Sequence, residues 1–182
     1  MRNIFLITFT LFSICLYAQD NSLNVSQNMQ GIEKQSEWFD DLKKAIPKSI
    51  NSNKPLLLFF TGSDWCGWCI RLQREVFSYP EFKNWADSSV VLVELDFPRR
   101  KQLKENIRNQ NRELQQIFGV RGYPTVWLVT PQIIQSNDPE NPGNKINFLK
   151  LGTLGYVAGG PEKWISSVTV SYTHLRAHET DR

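Results

Sequence analysis

The sequence predicts an α/β fold in which helices sandwich one sheet. Three observations carry this. Segments with apolar residues three and four apart alternate with short apolar runs, as strands alternating with helices do. One run, Leu56-Leu57-Leu58-Phe59-Phe60, has no polar member, which suits a central strand covered on both faces. The breaks between segments fall at Pro47, Gly119 and the turn-rich stretch Asn137–Asn144.

The elements follow in order. Trp38, Leu42 and Ile46 recur at four-residue spacing with Phe39 beside them, predicting an amphipathic helix that ends before Pro47. Lys54-Pro55 leads into the strand 56–60, and Thr61-Gly62-Ser63-Asp64-Trp65 is the turn after it. The next helix carries Cys69, Leu72 and Val76 on its core face, with Cys66 one turn earlier at an exposed start. Ser78-Tyr79-Pro80-Glu81 breaks that helix and opens a second with Pro80 in its first turn. Val90–Leu95 is a strand. Leu103, Ile107, Leu114 and Phe118 mark a long helix from about Lys101, stopped by Gly119. Thr125–Val129 and Ile146–Leu151 are further strands, with Asn137–Asn144 a surface loop. Gly159-Gly160-Pro161 opens a last helix through Trp164, Ile165 and Val168. Trp38, Trp85, Trp127 and Trp164 fall on periodic apolar faces and read as core.

Cys66-Gly67-Trp68-Cys69, directly after a buried strand, is the chemically informative motif. Two cysteines three apart on one helical face lie close enough to open and close a disulfide. The attacking species in disulfide exchange is a thiolate, and a free cysteine ionises only near about pH 8.5. Unpaired N–H groups and the partial positive charge at a helix N-terminus stabilise the anion. Cys66 is therefore the expected nucleophile, exposed in the first turn. Cys69, one turn deeper, resolves the mixed disulfide. An inert structural disulfide is the alternative. A metal reading fails on ligand number: apart from Cys15 in the leader, this is the only cysteine pair, and both histidines, His174 and His178, lie in a suspect tail.

The motif resembles the thioredoxin superfamily, over Ser36 to Val168. The carriers are Trp65-Cys66-Gly67-Trp68-Cys69 after a strand and Gly119-Val120-Arg121-Gly122-Tyr123-Pro124-Thr125 before another. The resemblance implies a thioredoxin-like three-layer sandwich with a central mixed sheet flanked by helices. It implies that Pro124 is cis and packs against the dithiol, that Tyr123 docks the client chain, and that Trp65, Gly67 and Trp68 border the client. Trp65 either joins Trp68 in an apolar platform or packs under the loop as core; Trp68 faces solvent. Ser63-Asp64-Trp65 and Phe97-Pro98-Arg99-Arg100 are closer to exported bacterial members than to cytoplasmic thioredoxin. Two departures stand out. The buried aspartate that cytoplasmic members carry under the cysteines is replaced by Leu57–Phe60, leaving Asp64, in an exposed turn, as the nearest acid. Trp68 stands where proline is common.

The ends read differently from the middle. Residues 1–18, with Arg2, the apolar run Ile4–Leu16 and small Ala18, have the pattern of a cleaved secretory signal. Residues 19–35, rich in Asn, Gln and Ser, read as a flexible linker, and 36–169 as the domain. Residues 170–182, Val170-Ser171-Tyr172-Thr173-His174-Leu175-Arg176-Ala177-His178-Glu179 and onward, resemble a translated sequencing adapter, so they are expected to be a non-native tail.

Leader and tail aside, 18 Lys and Arg face 16 Asp and Glu, too even a balance to argue for nucleic acid or an anionic membrane. Arg99-Arg100-Lys101 reads as a solvated loop entering a helix, with a partner-docking patch as the alternative. The expected protein is a periplasmic or secreted thiol–disulfide oxidoreductase that reduces or exchanges disulfides in envelope proteins. Its partners are disulfide-bearing clients and a dithiol electron donor. It needs no cofactor beyond its own disulfide, no nucleic acid and, once the leader is cut, no membrane, and it acts as a monomer. The alternative is a client-binding module whose disulfide is idle.

Overall fold

The computed structural model describes residues 37–136 and 143–179; the expected leader, the linker and most of the loop 137–144 lie outside them. The fold grows from the apolar run. Leu56–Thr61 forms strand β2, buried along its whole length, at the centre of the sheet. Side chains alternate across a strand, so its residues serve two cores. Leu57 and Phe59 pack with Cys69, Leu72, Val76, Phe82 and Trp164. Leu56, Leu58 and Phe60 pack with Leu42, Ala45, Ile46, Leu114 and Phe118 on the other face. The absence of polar residues from 56–60 is thus the mark of a three-layer sandwich.

Chain order is β1 (Trp38–Phe39), α1 (Leu42–Ser52), β2, α2 (Gly67–Leu72), a π-helical turn (Gln73–Phe77), α3 (Pro80–Ser89), β3 (Val91–Asp96), α4 (Glu105–Ile117), β4 (Thr125–Ser136), β5 (Gly143–Leu154) and α5 (Gly160–Glu179). The sheet runs β1-β3-β2-β4-β5, mixed in sense. β1, β3 and β2 are parallel, β4 is antiparallel to β2, and β5 to β4. The α/β sandwich with a mixed central sheet is as the resemblance implied.

The larger departures from the expected boundaries each have a physical reason. Trp38 and Phe39 are not on the first helix: they pair with Leu92 and Val93 as edge strand β1. The helix starts after them because the Asp41 carboxylate caps it, accepting the Lys43 N–H at 2.9 Å. That helix also runs through Pro47 to Ser52, held by buried Leu42, Ala45, Ile46 and Ser49, and ends where Asn53 turns left-handed at φ 52°. α4 starts at Glu105 rather than Lys101, since the backbone N–H groups of Arg99, Arg100 and Lys101 are all held by Asp64. β4 and β5 are a twelve-residue pair, longer than their apolar cores, because their outer halves pair with each other. Pro80 does sit in the first turn of α3, and Gly119 follows α4 at φ 61°. Trp164 is fully buried, while Trp38, Trp85 and Trp127 are half-buried. Among the described residues no helix is long and apolar enough to cross a membrane.

Candidate active site

The turn after β2 is shaped by Gly62. Its carbonyl accepts the N–H groups of Trp65 and Cys66 at 3.2 and 2.8 Å. A Cβ at Gly62 would lie 2.4 Å from the Trp65 ring, so any side chain there would displace the indole. Trp65 is fixed on its other sides too. Its Nε1 donates to the Phe97 carbonyl at 2.8 Å, its ring meets Tyr123 edge-on at 5.7 Å, and the Arg99 guanidinium lies 4.1 Å from its centroid. Of the two roles open to Trp65, the structure shows it packed under the loop.

Cys66 is the N-cap of α2, with extended backbone, and Gly67 is the first helical residue. The Cys66 Sγ accepts the Cys69 N–H at 3.2 Å and is disulfide-bonded to Cys69, with Cα atoms 5.2 Å apart. The Cys69 N–H also donates to the Cys66 carbonyl at 3.0 Å, and an N-cap atom facing the first-turn N–H groups is where an anion gains from the helix end. Cys66 is not in the first turn, and it is not exposed as expected: it is 6% exposed, at the margin of the core cluster, against 0% for Cys69. The half-buried rings of Trp65, Tyr123 and Tyr156 pack on the same cluster. Cys66 remains the more exposed residue of the pair. Gly67 is exposed, and a Cβ there would meet nothing within 4 Å, so the surface beside Cys66 is open.

The Tyr123–Pro124 peptide bond is cis. Tyr123 is half-buried; its hydroxyl accepts from Gln115 at 2.7 Å and its ring packs on Phe97 at 5.3 Å. Burial raises its phenol pKa. The Tyr123 side chain is thus held at its hydroxyl and by two ring neighbours, Trp65 and Phe97.

Trp68, between the cysteines, is 56% exposed, yet it is held. Its ring lies 5.3 Å from that of Tyr156, and the Arg71 guanidinium sits 5.5 and 5.3 Å from the two centroids. Glu75 closes the set, accepting from the Tyr156 hydroxyl at 2.5 Å and from Arg71 Nε at 2.8 Å. Those two hydrogen bonds, the Tyr156 one foremost, hold the Glu75 carboxyl below its usual range, and the bond to Glu75, then burial, raises the Tyr156 phenol.

Three carboxylates surround the loop. Asp64 accepts the N–H of Arg99 at 2.9 Å, Arg100 at 2.6 Å and Lys101 at 3.3 Å, and these bonds lower its pKa, Arg99 foremost. Asp96 accepts the Ser63 N–H and hydroxyl at 2.9 and 2.7 Å. Glu94, on the same side of β3 as Leu92, accepts from Gln73, four residues past Cys69, at 3.3 Å. Burial first, then Asp96, raises its pKa. Sequence reasoning missed Gly62, Glu94, Arg99 and the Arg71–Glu75–Tyr156 set. Glycine in a turn was a visible signal, whereas the other contacts join distant segments. Among the described residues no cluster of His, Cys, Asp and Glu is arranged to hold a metal.

The profile of the thioredoxin-like domain family matches residues 42–132, half of the chain. A relative named disulfide bond reductase DsbH, from Chlamydia pneumoniae, is 33% identical over 132 residues, covering 72% of this chain and 70% of its own. The chain belongs to the thioredoxin-like family. A second thioredoxin-like relative, the thioredoxin-related protein DsbJ of Chlamydia pneumoniae, is 36% identical over 93 residues; the match spans 51% of this chain and 27% of DsbJ. A solved structure titled DsbH oxidoreductase superposes with a TM-score of 0.62 at 29% identity, covering 80% of this chain and 92% of that one. A thioredoxin from Thermus thermophilus, at TM-score 0.50 and 12% identity over 74% of this chain and 85% of its own, shares the thioredoxin-like fold. A thioredoxin-like domain bearing a Cys66–Cys69 disulfide at a helix N-cap is a thiol–disulfide oxidoreductase, with that disulfide as its redox group.

Proposed function

We propose that the chain is an exported reductase of protein disulfides. The observation that carries this is the Cys66–Cys69 pair itself, oxidisable, at a helix N-cap and with Cys66 the more exposed residue. Similarity to a disulfide bond reductase supports the direction of electron flow. In the reduced form the Cys66 thiolate attacks a client disulfide. A Cys66–client S–S bond forms, the client S–S bond breaks, and one client sulfur leaves as a thiolate. Cys69 then attacks Cys66 Sγ, the Cys66–Cys69 bond forms and the second client thiolate departs. Two electrons have passed to the client, and a dithiol donor protein restores the pair. Trp65, Gly67 and Trp68 border the client, and the backbone at Tyr123 and Pro124 aligns it. The leader-like residues 1–18 support an extracytoplasmic site, with the periplasm as the finer assignment; residues 36–169 form the working domain.

The low exposure of Cys66 favours one competing reading, a client-binding module whose disulfide stays closed. Insulin reduction separates the two. Cys66→Ser should abolish turnover, and Cys69→Ser should accumulate a mixed disulfide through Cys66. Undiminished turnover in Cys66→Ser overturns the reductase, and a native disulfide that resists dithiothreitol supports the binding module.

A further inference from the structure

The segment Asp96–Arg112 holds six cations (Arg99, Arg100, Lys101, Lys104, Arg108 and Arg112) against two acids, Asp96 and Glu105. That local surplus exceeds the +3 of the whole chain. Nearby acids answer it only at Lys101, whose charge acts on Glu94. Asp96 is 7% exposed and its oxygens are taken by Ser63, while Asp64 is occupied by backbone N–H groups. Among the described residues, ion pairs join Glu75 to Arg71 and Arg74, and none reaches this segment.

Three of the six cations, Lys101, Arg108 and Arg112, line an open cavity of about 360 Å³, against one acid, Asp96, whose oxygens face Ser63. The volume is at the lower end of those that take ligands, with room for one or two side chains. Its wall is bonded to the active-site loop at three points: Asp96 to Ser63, the Phe97 carbonyl to Trp65, and the Lys101 N–H to Asp64. Arg99, on the Trp65 ring, carries the positive field toward the residue next to Cys66.

We infer that this cavity recognises acidic side chains of the client, on the segment flanking its disulfide. The inference rests on the reductase reading and adds a substrate class to it. Guanidinium groups match carboxylates through paired N–H donors, and two arginines with a lysine around one cavity supply several such donors. Each exposed charge acts weakly, but a cluster of one sign in a concave wall raises the encounter rate of the opposite charge. An acidic flank engaged there lies one hydrogen bond from the loop that presents the cysteines, so the client disulfide is delivered beside Cys66.

The test uses the full chain and two cystine peptides differing only in flanks, Asp/Glu against Asn/Gln. At low salt the acidic peptide should react about tenfold faster in kcat/KM. The ratio should fall to within about twofold of one at about 1 M salt, where charges are screened beyond about 3 Å. It should fall equally in Arg108→Ala/Arg112→Ala, two exposed helix positions whose thermal melt checks the fold. Where both peptides are reduced, equal rates, or a ratio kept in the double variant, overturn the inference. A cystine-free acidic peptide, followed by tryptophan fluorescence, separates the cavity from the chemistry. Salt-sensitive binding lost in the double variant supports the cavity even where neither cystine peptide is reduced, an outcome that removes the reductase reading instead. Absence of such binding overturns the cavity.

Discussion

Asp64 and Glu94 are two acids of one site with opposite responses to pH. Asp64 is held below its ordinary 3.8 by the N–H groups of Arg99, Arg100 and Lys101. Below that value the unfolded chain binds a proton that the folded chain does not, so this contribution to stability is complete above it and is lost as pH falls through the folded pKa. Glu94 is raised above 4.5 by burial and by Asp96, so the folded chain keeps a proton that the unfolded one releases. Its contribution therefore declines as pH rises from 4.5 to the folded pKa. Urea melts at neutral and acid pH check both. Asp64→Asn should be destabilised at neutral pH, with the gap to the unaltered protein closing in acid. Glu94→Gln should gain stability relative to it as pH rises through the window above 4.5. An Asp64→Asn gap that stays constant with pH would mean that Asp64 acts by shape alone.

α1 shows how elements obey packing over local preference. Pro47 sits in its interior, exposed, where proline removes a backbone hydrogen bond. Replacing it with alanine restores that bond and removes about 3 kcal/mol of helix penalty, against about 1 kcal/mol lost because the unfolded chain becomes freer. Pro47→Ala should therefore raise the unfolding free energy by about 2 kcal/mol in a urea titration; an unchanged or lower value would show a backbone adapted to proline. The same element marks the limit of sequence reasoning. Burial periodicity was visible in Leu42, Ile46, Cys69, Leu72 and Val76, because a repeat is a local property. Trp38 continued the helical repeat yet became a strand, since its partner Leu92 is far along the chain. The π-helical turn Gln73–Phe77, which buries both Val76 and Phe77, has no local signature. At the site, the cysteines and the cis Pro124 were legible as a motif. The clamp on Trp68 was not, because Tyr156 meets Trp68 and Glu75 only in the folded chain, and the low exposure of Cys66 was not, because it belongs to the assembled core cluster.

Across the whole molecule, the layer that carries the dithiol is an aromatic stack closed by α5. Phe77 meets Phe59 at 5.1 Å and Phe82 at 4.5 Å, and Trp164 meets Phe77 at 5.3 Å and Phe82 at 5.8 Å. Trp164 is fully buried, and its Nε1 donates to the Gly155 carbonyl at 3.0 Å, on the segment leading to Tyr156. One indole thus ties the last helix to the helices around Cys69 and to the chain that holds Trp68. Trp164→Ala should cost about 3–5 kcal/mol in unfolding free energy, the loss expected for a large aromatic truncated in a core. The buried, described positions of α5 are Pro161, Trp164 and Val168, all before residue 170. If residues 170–182 are a non-native tail, a chain ending at Thr169 retains each of these contacts. Its melting midpoint should match that of the full chain, and its Cys66–Cys69 pair should reduce insulin at the same rate. A truncated chain as unstable as Trp164→Ala would instead show that the tail packs on the domain and belongs to its fold.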